Sequence, residues 1–589
     1  MSPDPEDVVA AVRGGGTPGK SAGSAAGPAA GAGPARPPVT PGARAAGRRL
    51  LVWAVAVLAV ALAFVAYLRV SRTYPENSDE ANILLMSWDM LHGNLLLHGW
   101  SLSDVSFYTT ELPQYALLEA RLGLHTDTAH VAAAMTYTLV LLFAVLLARG
   151  PRDPALGPRD RAWPRMALTA CIMIAPQLGV GVFVLLLSVG HIGTAVPLML
   201  TWLVIDWAAG RPRWFVPVVV GVLLAWVLVA DPLVLVVGII PLVAVCAVRL
   251  ARAVRSARPG DRGTALRARW YEVSLAAAAI LAYALAGLVN RLLRSGGGFI
   301  LHPLGYRLAP VHTWPKHAWV TGEGLLALFG AKPQGPAAEM TFALVHLAGV
   351  ALVAWAMWRV ARRFFSWPDL IGQVLFVAIV LNVVVYVPST LADATDLNAR
   401  EFAVVLPFGA VLAGRTLATR LADRTAVNVG RPPVDRPLLS WLGAARWRTA
   451  VACALVAGYA ASLGYAVAQP SAPPANEQLA AFLAARHLSY GLGGYWQSSI
   501  VTVGSDGAVA VRAVWADTLR PYPWESKASW YDPRSNRATF LVIDSQPGFF
   551  SYFQPGPAAL AAYGPPAHTY HVGPYTVLVW NRNLLAGPG

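Results

Sequence analysis

Charge is scarce in this chain: Asp, Glu, Lys and Arg make up 13% of its 589 residues, about half of the roughly 25% usual in soluble domains. Hydrophobic residues fill 56% of it and mean hydropathy is +0.50, which excludes a single water-soluble globule. Cysteine is nearly absent. Cys171, Cys246 and Cys453 each sit inside an apolar block, where a thiol behaves as a small buried hydrophobe, so neither a disulfide framework nor a cysteine metal site is written here. Lysine is rarer than arginine, with only Lys20, Lys316, Lys332 and Lys527 among 46 basic residues. No P-loop or dinucleotide fingerprint stands in a strand-to-helix context, which argues against ATP-driven chemistry.

What is present is a series of apolar blocks about 20 residues long, the length of helix that crosses roughly 30 Å of hydrocarbon. They fall near residues 50–70, 128–148, 166–188, 192–208, 214–230, 232–249, 271–290, 341–360, 369–388, 402–419 and 449–468. The expectation is a polytopic α-helical membrane protein of about eleven transmembrane helices. The net charge of +15 would suit a nucleic acid, but the basic residues sit in loops, where topology and lipid headgroups account for them. No nucleic-acid partner is expected.

Residues 1–47, rich in Ala, Gly and Pro, read as a disordered cytoplasmic tail. The membrane domain runs over 48–469, and the positive-inside rule puts the loops 71–127, 291–340 and 389–401 outside a plasma membrane. An odd number of spans then leaves 470–589 outside as a small α/β or α+β domain. In it, Glu477 to His487 reads as a helix, Ile500 to Val503 with Val509 to Val514 as a hairpin, and residues 539–543 and 575–580 as strands. Its aromatic residues, Tyr495 and Trp524 among them, suit sugar faces but equally a core or a membrane interface.

Immediately after the first span comes Asn77-Ser78-Asp79-Glu80, opening a helix with a stripe of Asp79, Asn82, Met86 and Asp89. Two carboxylates at a lipid boundary suit deprotonation of a hydroxyl, since desolvation raises a carboxylate toward a useful base. The structural alternative is a capping box, for which Asn77 and Glu80 have the spacing. Gly190-His191-Ile192-Gly193 lies in the turn between spans three and four, and Asp231-Pro232 in that between spans five and six. With Asp79, His191 and Asp231 offer oxygen and imidazole ligands to a possible divalent cation; singly, each is also a polar residue in a short turn. Arg400 precedes Glu401-Phe402 and Pro407. Arginine holds phosphate by paired hydrogen bonds, with a salt bridge to Glu401 as the structural alternative.

The acidic pair after span one, the helix ending in Leu91-His92-Gly93-Asn94 and the Arg400 stretch near a late span together resemble the GT-C superfamily of polyprenyl-phosphate-sugar-dependent glycosyltransferases. Protein O-mannosyltransferases and the aminoarabinose and arabinosyl transferases belong to it; the arginine-rich composition further suggests an actinobacterial source. The resemblance implies a catalytic aspartate at Asp79 with Glu80 beside it. It also implies that Arg400 binds the lipid phosphate, with His191 and Asp231 shaping the site. The expected activity is transfer of a mannose- or arabinose-type sugar from a polyprenyl-phosphate donor to an extracytoplasmic glycan or protein. A transporter or flippase of lipid-linked glycans and a non-catalytic envelope scaffold are the competing classes. Against the first, the chain shows no matched pair of broken helices in two halves, which such transporters usually carry.

Overall fold

The computed structural model describes residues 41–150, 162–187, 190–302, 307–392, 395–416, 438–548 and 551–587. Most of the tail at 1–47 lies outside them. The chain divides into two units at Leu58. The described part of the first is the opening of helix α1 (Pro41–Ser71), whose side chains from Leu50 to Leu58 include many exposed apolar groups, as a lipid-facing span requires.

The second unit begins with α2 (Ser78–Leu91), β1 (Trp100–Leu102), α3 (Glu111–Leu122) and α4 (Asp127–Ala148). Helices α5 (Trp163–Met173), α6 (Val180–Leu186), α7 (Ala195–Ala208), α8 (Val216–Ala230) and α9 (Ile240–Ser256) follow, the last continuing a π-helical turn at Leu235–Ile239. Then come α10 (Arg262–Ala268), α11 (Trp270–Ser295), β2 (Ile300–Leu301), α12 (Trp314–Leu328), α13 (Ala337–Arg362) and α14 (Leu370–Tyr386). Helices α15 (Val405–Thr416) and α16 (Leu438–Val467) complete the bundle.

Among the described residues, six helices are long and apolar enough to cross a membrane, and α7, α8, α14 and α15 are shorter apolar helices. This is a polytopic α-helical membrane protein. One expected span differs: 166–188 is two helices, α5 and α6, separated by a segment containing Pro176 and by Gly179 at φ +76°. Proline has no N–H for the helix ladder, and glycine accepts the left-handed backbone at little cost.

The remaining chain forms α17 (Glu477–Ala485), β3 (Tyr490–Gly493), α18 (Ser499–Gly504), β4 (Ala510–Ala513), β5 (Ser526–Lys527), β6 (Phe540–Asp544), α19 (Gly556–Tyr563), β7 (His568–Val572) and β8 (Tyr575–Val579). A five-stranded sheet has the order β4-β3-β6-β8-β7; β3 runs parallel to β4 and β6, and β8 antiparallel to β6 and β7. The hairpin expected from Ile500 to Val514 is absent. Its first half is helix α18, and β4 pairs in parallel with β3 instead.

Two features tie this end of the chain to the first long loop. Strand β5 pairs antiparallel with β1, which pairs in parallel with β2. A hydrophobic cluster also joins Ile83, Leu84 and Met86 of α2 to Leu479 and Leu483 of α17 and to Ile500 and Val501 of α18.

Candidate active site

Helix α2 begins at a complete capping box. The Asn77 side chain accepts the Asp79 N–H at 2.8 Å, and the Asn77 backbone N–H donates to Glu80 Oε2 at 2.8 Å. Glu80 is fully buried, and its other oxygen accepts from Asn77 Nδ2 at 3.3 Å. Burial and the neighbouring Asp79 hold its carboxyl well above the usual carboxylate range. Of the two acids expected at the site, Glu80 is therefore the helix cap and does not line the cavity described below.

Asp79 points the other way. Its Oδ2 accepts from Arg400 Nη1 at 3.1 Å and its Oδ1 lies 2.7 Å from the Tyr495 hydroxyl. Arg400 sits in a 3-10 turn, Asp396–Phe402, capped by the Thr395 side chain. About a third of its side chain, 31%, stays open, and Nη1 to Asp79 is its one hydrogen bond among the described residues. Burial works against its charge, but Asp79 and Glu401 raise its pKa further.

Behind this pair lies a buried ion network. His191 Nδ1 is 2.8 Å from Asp231 Oδ2 and its Nε2 is 3.0 Å from Glu401 Oε2. An imidazole that donates to two carboxylates carries both protons. Burial opposes that charge, yet the two acids raise His191 well above its ordinary value. In return, and again against burial, His191 keeps Asp231 and Glu401 below theirs. Asp231 spends its remaining capacity on the Thr194 hydroxyl and the Leu233 N–H. Glu401 Oε1 reaches back toward Arg400 Nε at 3.8 Å, so one chain of charges runs from Asp79 to Asp231. Under the His191 turn, a Cβ at Gly193 would fall 1.8 Å from Glu111 Oε1; glycine leaves room for that acid, which burial pushes up to about 7.

Asp79, Arg400, Glu401 and His191 share a cavity of about 140 Å³ with Trp524 and Glu525. A larger groove of about 660 Å³ is lined by apolar side chains including Trp319, Leu325, Phe329, Val353 and Val405. The structure thus brings Asp79, Arg400 and His191 together, keeps Asp231 one hydrogen bond behind, and sets Glu80 aside. The metal set of Asp79, His191 and Asp231 does not fit. Both nitrogens of His191 are taken, and no group of three or more His, Cys, Asp or Glu among the described residues is arranged to hold an ion.

The sequence offers Glu401 only as a salt-bridge partner of Arg400, and nothing in it marks Glu525. Glu401 carries the only local hint, an acid directly beside the arginine where the apolar run from Phe402 begins. Tyr495 and Glu525 reach Asp79 across 416 and more residues of chain, and no spacing rule links them.

No family model and no curated protein sequence matches the chain. Solved structures do. ArnT from Cupriavidus metallidurans in the apo state aligns over 93% of this chain and 100% of its own, at 15% identity and TM-score 0.51. The chain shares its fold with ArnT. The same protein bound to undecaprenyl phosphate aligns over 91% of this chain and 99% of its own, at 14% identity and TM-score 0.49. The likeness to the apo structure is one of fold, a helical membrane bundle followed by a small sheet-containing carboxyl-terminal part.

Proposed function

We propose that this chain is a membrane glycosyltransferase that moves a sugar of mannose or arabinose type from a polyprenyl-phosphate donor to a hydroxyl on an extracytoplasmic glycan or protein. The observation that carries the reading is the pairing of Asp79 with Arg400 at 3.1 Å in a polar cavity of a bundle otherwise built for lipid. Asp79 takes the proton of the acceptor hydroxyl as general base. The acceptor oxygen bonds to the anomeric carbon while the bond from that carbon to the phosphate oxygen breaks, its electron pair leaving with the lipid phosphate. A single displacement inverts the anomeric configuration.

Arg400 neutralises the charge growing on the departing phosphate, through the guanidinium edge that Asp79 does not occupy. His191, Asp231 and Glu401 hold the Arg400 turn in place, and the apolar groove suits an isoprenoid tail. The topology that goes with this is a cytoplasmic amino terminus in the plasma membrane, with the cavity and residues 470–589 outside. Fold-level likeness to apo ArnT supports the assignment as an analogy of architecture.

The test is direct. Purified protein in liposomes, given radiolabelled polyprenyl-phospho-mannose and separately the arabinose donor, transfers label from one of them to a hydroxyl acceptor. Asp79→Asn slows transfer by about 10²–10⁴-fold with an unchanged melting temperature. Full activity in a folded Asp79→Asn protein removes the mechanism.

A further inference from the structure

Two carboxyl oxygens and an amide nitrogen meet around one phenol. The Tyr495 hydroxyl lies 2.7 Å from Asp79 Oδ1 and 2.6 Å from Glu525 Oε2. Asn82 Nδ2 donates at 3.1 Å to that hydroxyl and at 3.1 Å to Glu525 Oε2. The amide nitrogen is a donor only, and the phenol owns a single hydrogen. Two oxygen pairs at hydrogen-bond distance need two hydrogens, one in each gap. One must therefore come from a carboxyl group.

The surroundings say which carboxyl. Asp79 has the Arg400 guanidinium against its other oxygen. Glu525 is 6% exposed and has no ion pair among the described residues. Its titratable and charged neighbours are Asp79, Tyr495 and Tyr522, and its other hydrogen-bond partners are Asn82 and Ser103. Asp104 lines the same cavity. Burial first, and then the charge of Asp79, push Glu525 up.

We propose that Glu525 is a carboxylic acid in the resting protein and positions the base: it donates to Tyr495, which in turn donates its only hydrogen to Asp79. Arg400 and Tyr495 then grip one oxygen each of an ionised Asp79. The backbone is consistent with a functional constraint. Glu525 holds φ +49°, a left-handed conformation that non-glycine residues keep only where the surrounding structure enforces it. That enforcement comes from the next two residues, Ser526 and Lys527, which form β5 against β1.

The carboxyl-terminal segment, whose role the sequence left open, thereby supplies two positioning residues to a base on the first loop. Loss of the Glu525 proton turns the Tyr495 hydrogen toward Glu525 and leaves Asp79 Oδ1 facing a lone pair. The base then has its donor below the Glu525 pKa and loses it above, so transfer falls on the alkaline side, near the value of about 8 to which Glu525 is raised.

The catalytic part of this rests on the proposed transfer reaction; the protonation does not, so the experiment reads both. Infrared spectra of the full-length protein at neutral pH show a protonated-carboxyl C=O contribution that is missing from Glu525→Gln, a difference that cancels the other buried acids raised by burial, Glu80, Glu111 and Glu119. In transfer assays Glu525→Ala lowers kcat about tenfold, the order expected for one lost hydrogen-bond donor. Glu525→Gln, whose amide still donates to Tyr495, recovers most of that loss and abolishes the alkaline limb of the pH profile.

Wild-type and Glu525→Gln spectra with the same carboxyl band overturn the proposal, as does a Glu525→Gln protein as inactive as Asp79→Asn, which would make Glu525 a working carboxylate. The spectral difference together with no transfer from either donor leaves Glu525 protonated and refutes the glycosyltransferase reading instead.

Discussion

Asp79 and Glu80 are chemically equivalent neighbours, and one turn of backbone gives them different work. The first residues of α2 have N–H groups without helical partners; Asn77 and Glu80 satisfy them reciprocally, which leaves Asp79 as the acid that faces outward. Removing the cap should therefore damage stability and spare chemistry. Asn77→Ala costs about 1 kcal/mol in thermal unfolding, with transfer retained once the protein is folded, which is the reverse of the Asp79→Asn pattern. The capping box was legible because its partners are three residues apart. The Asp79–Arg400 contact, 321 residues apart, has no local signature. Arg400 could be nominated only by its chemistry and by resemblance; the adjacent Glu401 could be named as an ionic partner, whereas Asp79, bound to Tyr495, became visible as one only in three dimensions.

At the scale of elements, apolar periodicity located the spans but not every break or every element type. The apolar run 166–188 hides the interruption between α5 and α6, because Pro176 and Gly179 change backbone geometry without changing hydropathy. Ile500 to Val503 is a run of four β-branched residues beside a turn signal. All four residues are buried, so neither a two-residue nor a 3.6-residue period is expressed, and a short strand cannot be told from a buried helix on pattern.

Close packing between helices was equally silent in the sequence. Gly414 of α15 lies against α5: an added Cβ would stand 2.5 Å from Thr169 Oγ1 and 2.8 Å from the Arg165 carbonyl, beside the hydrogen bond from Thr169 to the Ala410 carbonyl at 3.0 Å. Small residues permit such approach between membrane helices. Gly414→Ala must push the two helices apart, at a cost of about 1–3 kcal/mol, read as a lower melting temperature in detergent. An unchanged melting temperature would mean that the α5–α15 contact is looser than this.

For the molecule as a whole, the informative feature is the polar stripe of α2. Asp79, Asn82 and Asp89 read in the sequence as one polar stripe of the helix that follows the first span. In the structure that face receives the carboxyl-terminal segment: Asp79 and Asn82 take Tyr495 and Glu525, and Asp89 takes Lys527 Nζ at 2.9 Å and the Trp100 indole at 2.7 Å. Burial and the Lys527 ammonium act in opposite directions on Asp89, and the hydrogen bonds win, keeping it below the usual carboxylate range.

Lys527 lies two residues from Glu525 on the strand that pairs with β1, so the Asp89–Lys527 contact fixes where Glu525 sits without entering the cavity. Each side chain of that pair is 22% exposed, which makes its direct contribution to stability about 1 kcal/mol or less. A double-mutant cycle of Asp89→Asn and Lys527→Met separates stability from positioning. Melting temperatures yield a coupling of that small size, whereas transfer rates yield a coupling as well, because either single change already releases β5 and the second adds little. Independent, additive losses in the transfer rate would mean that the first loop and the carboxyl-terminal segment do not act as one catalytic unit.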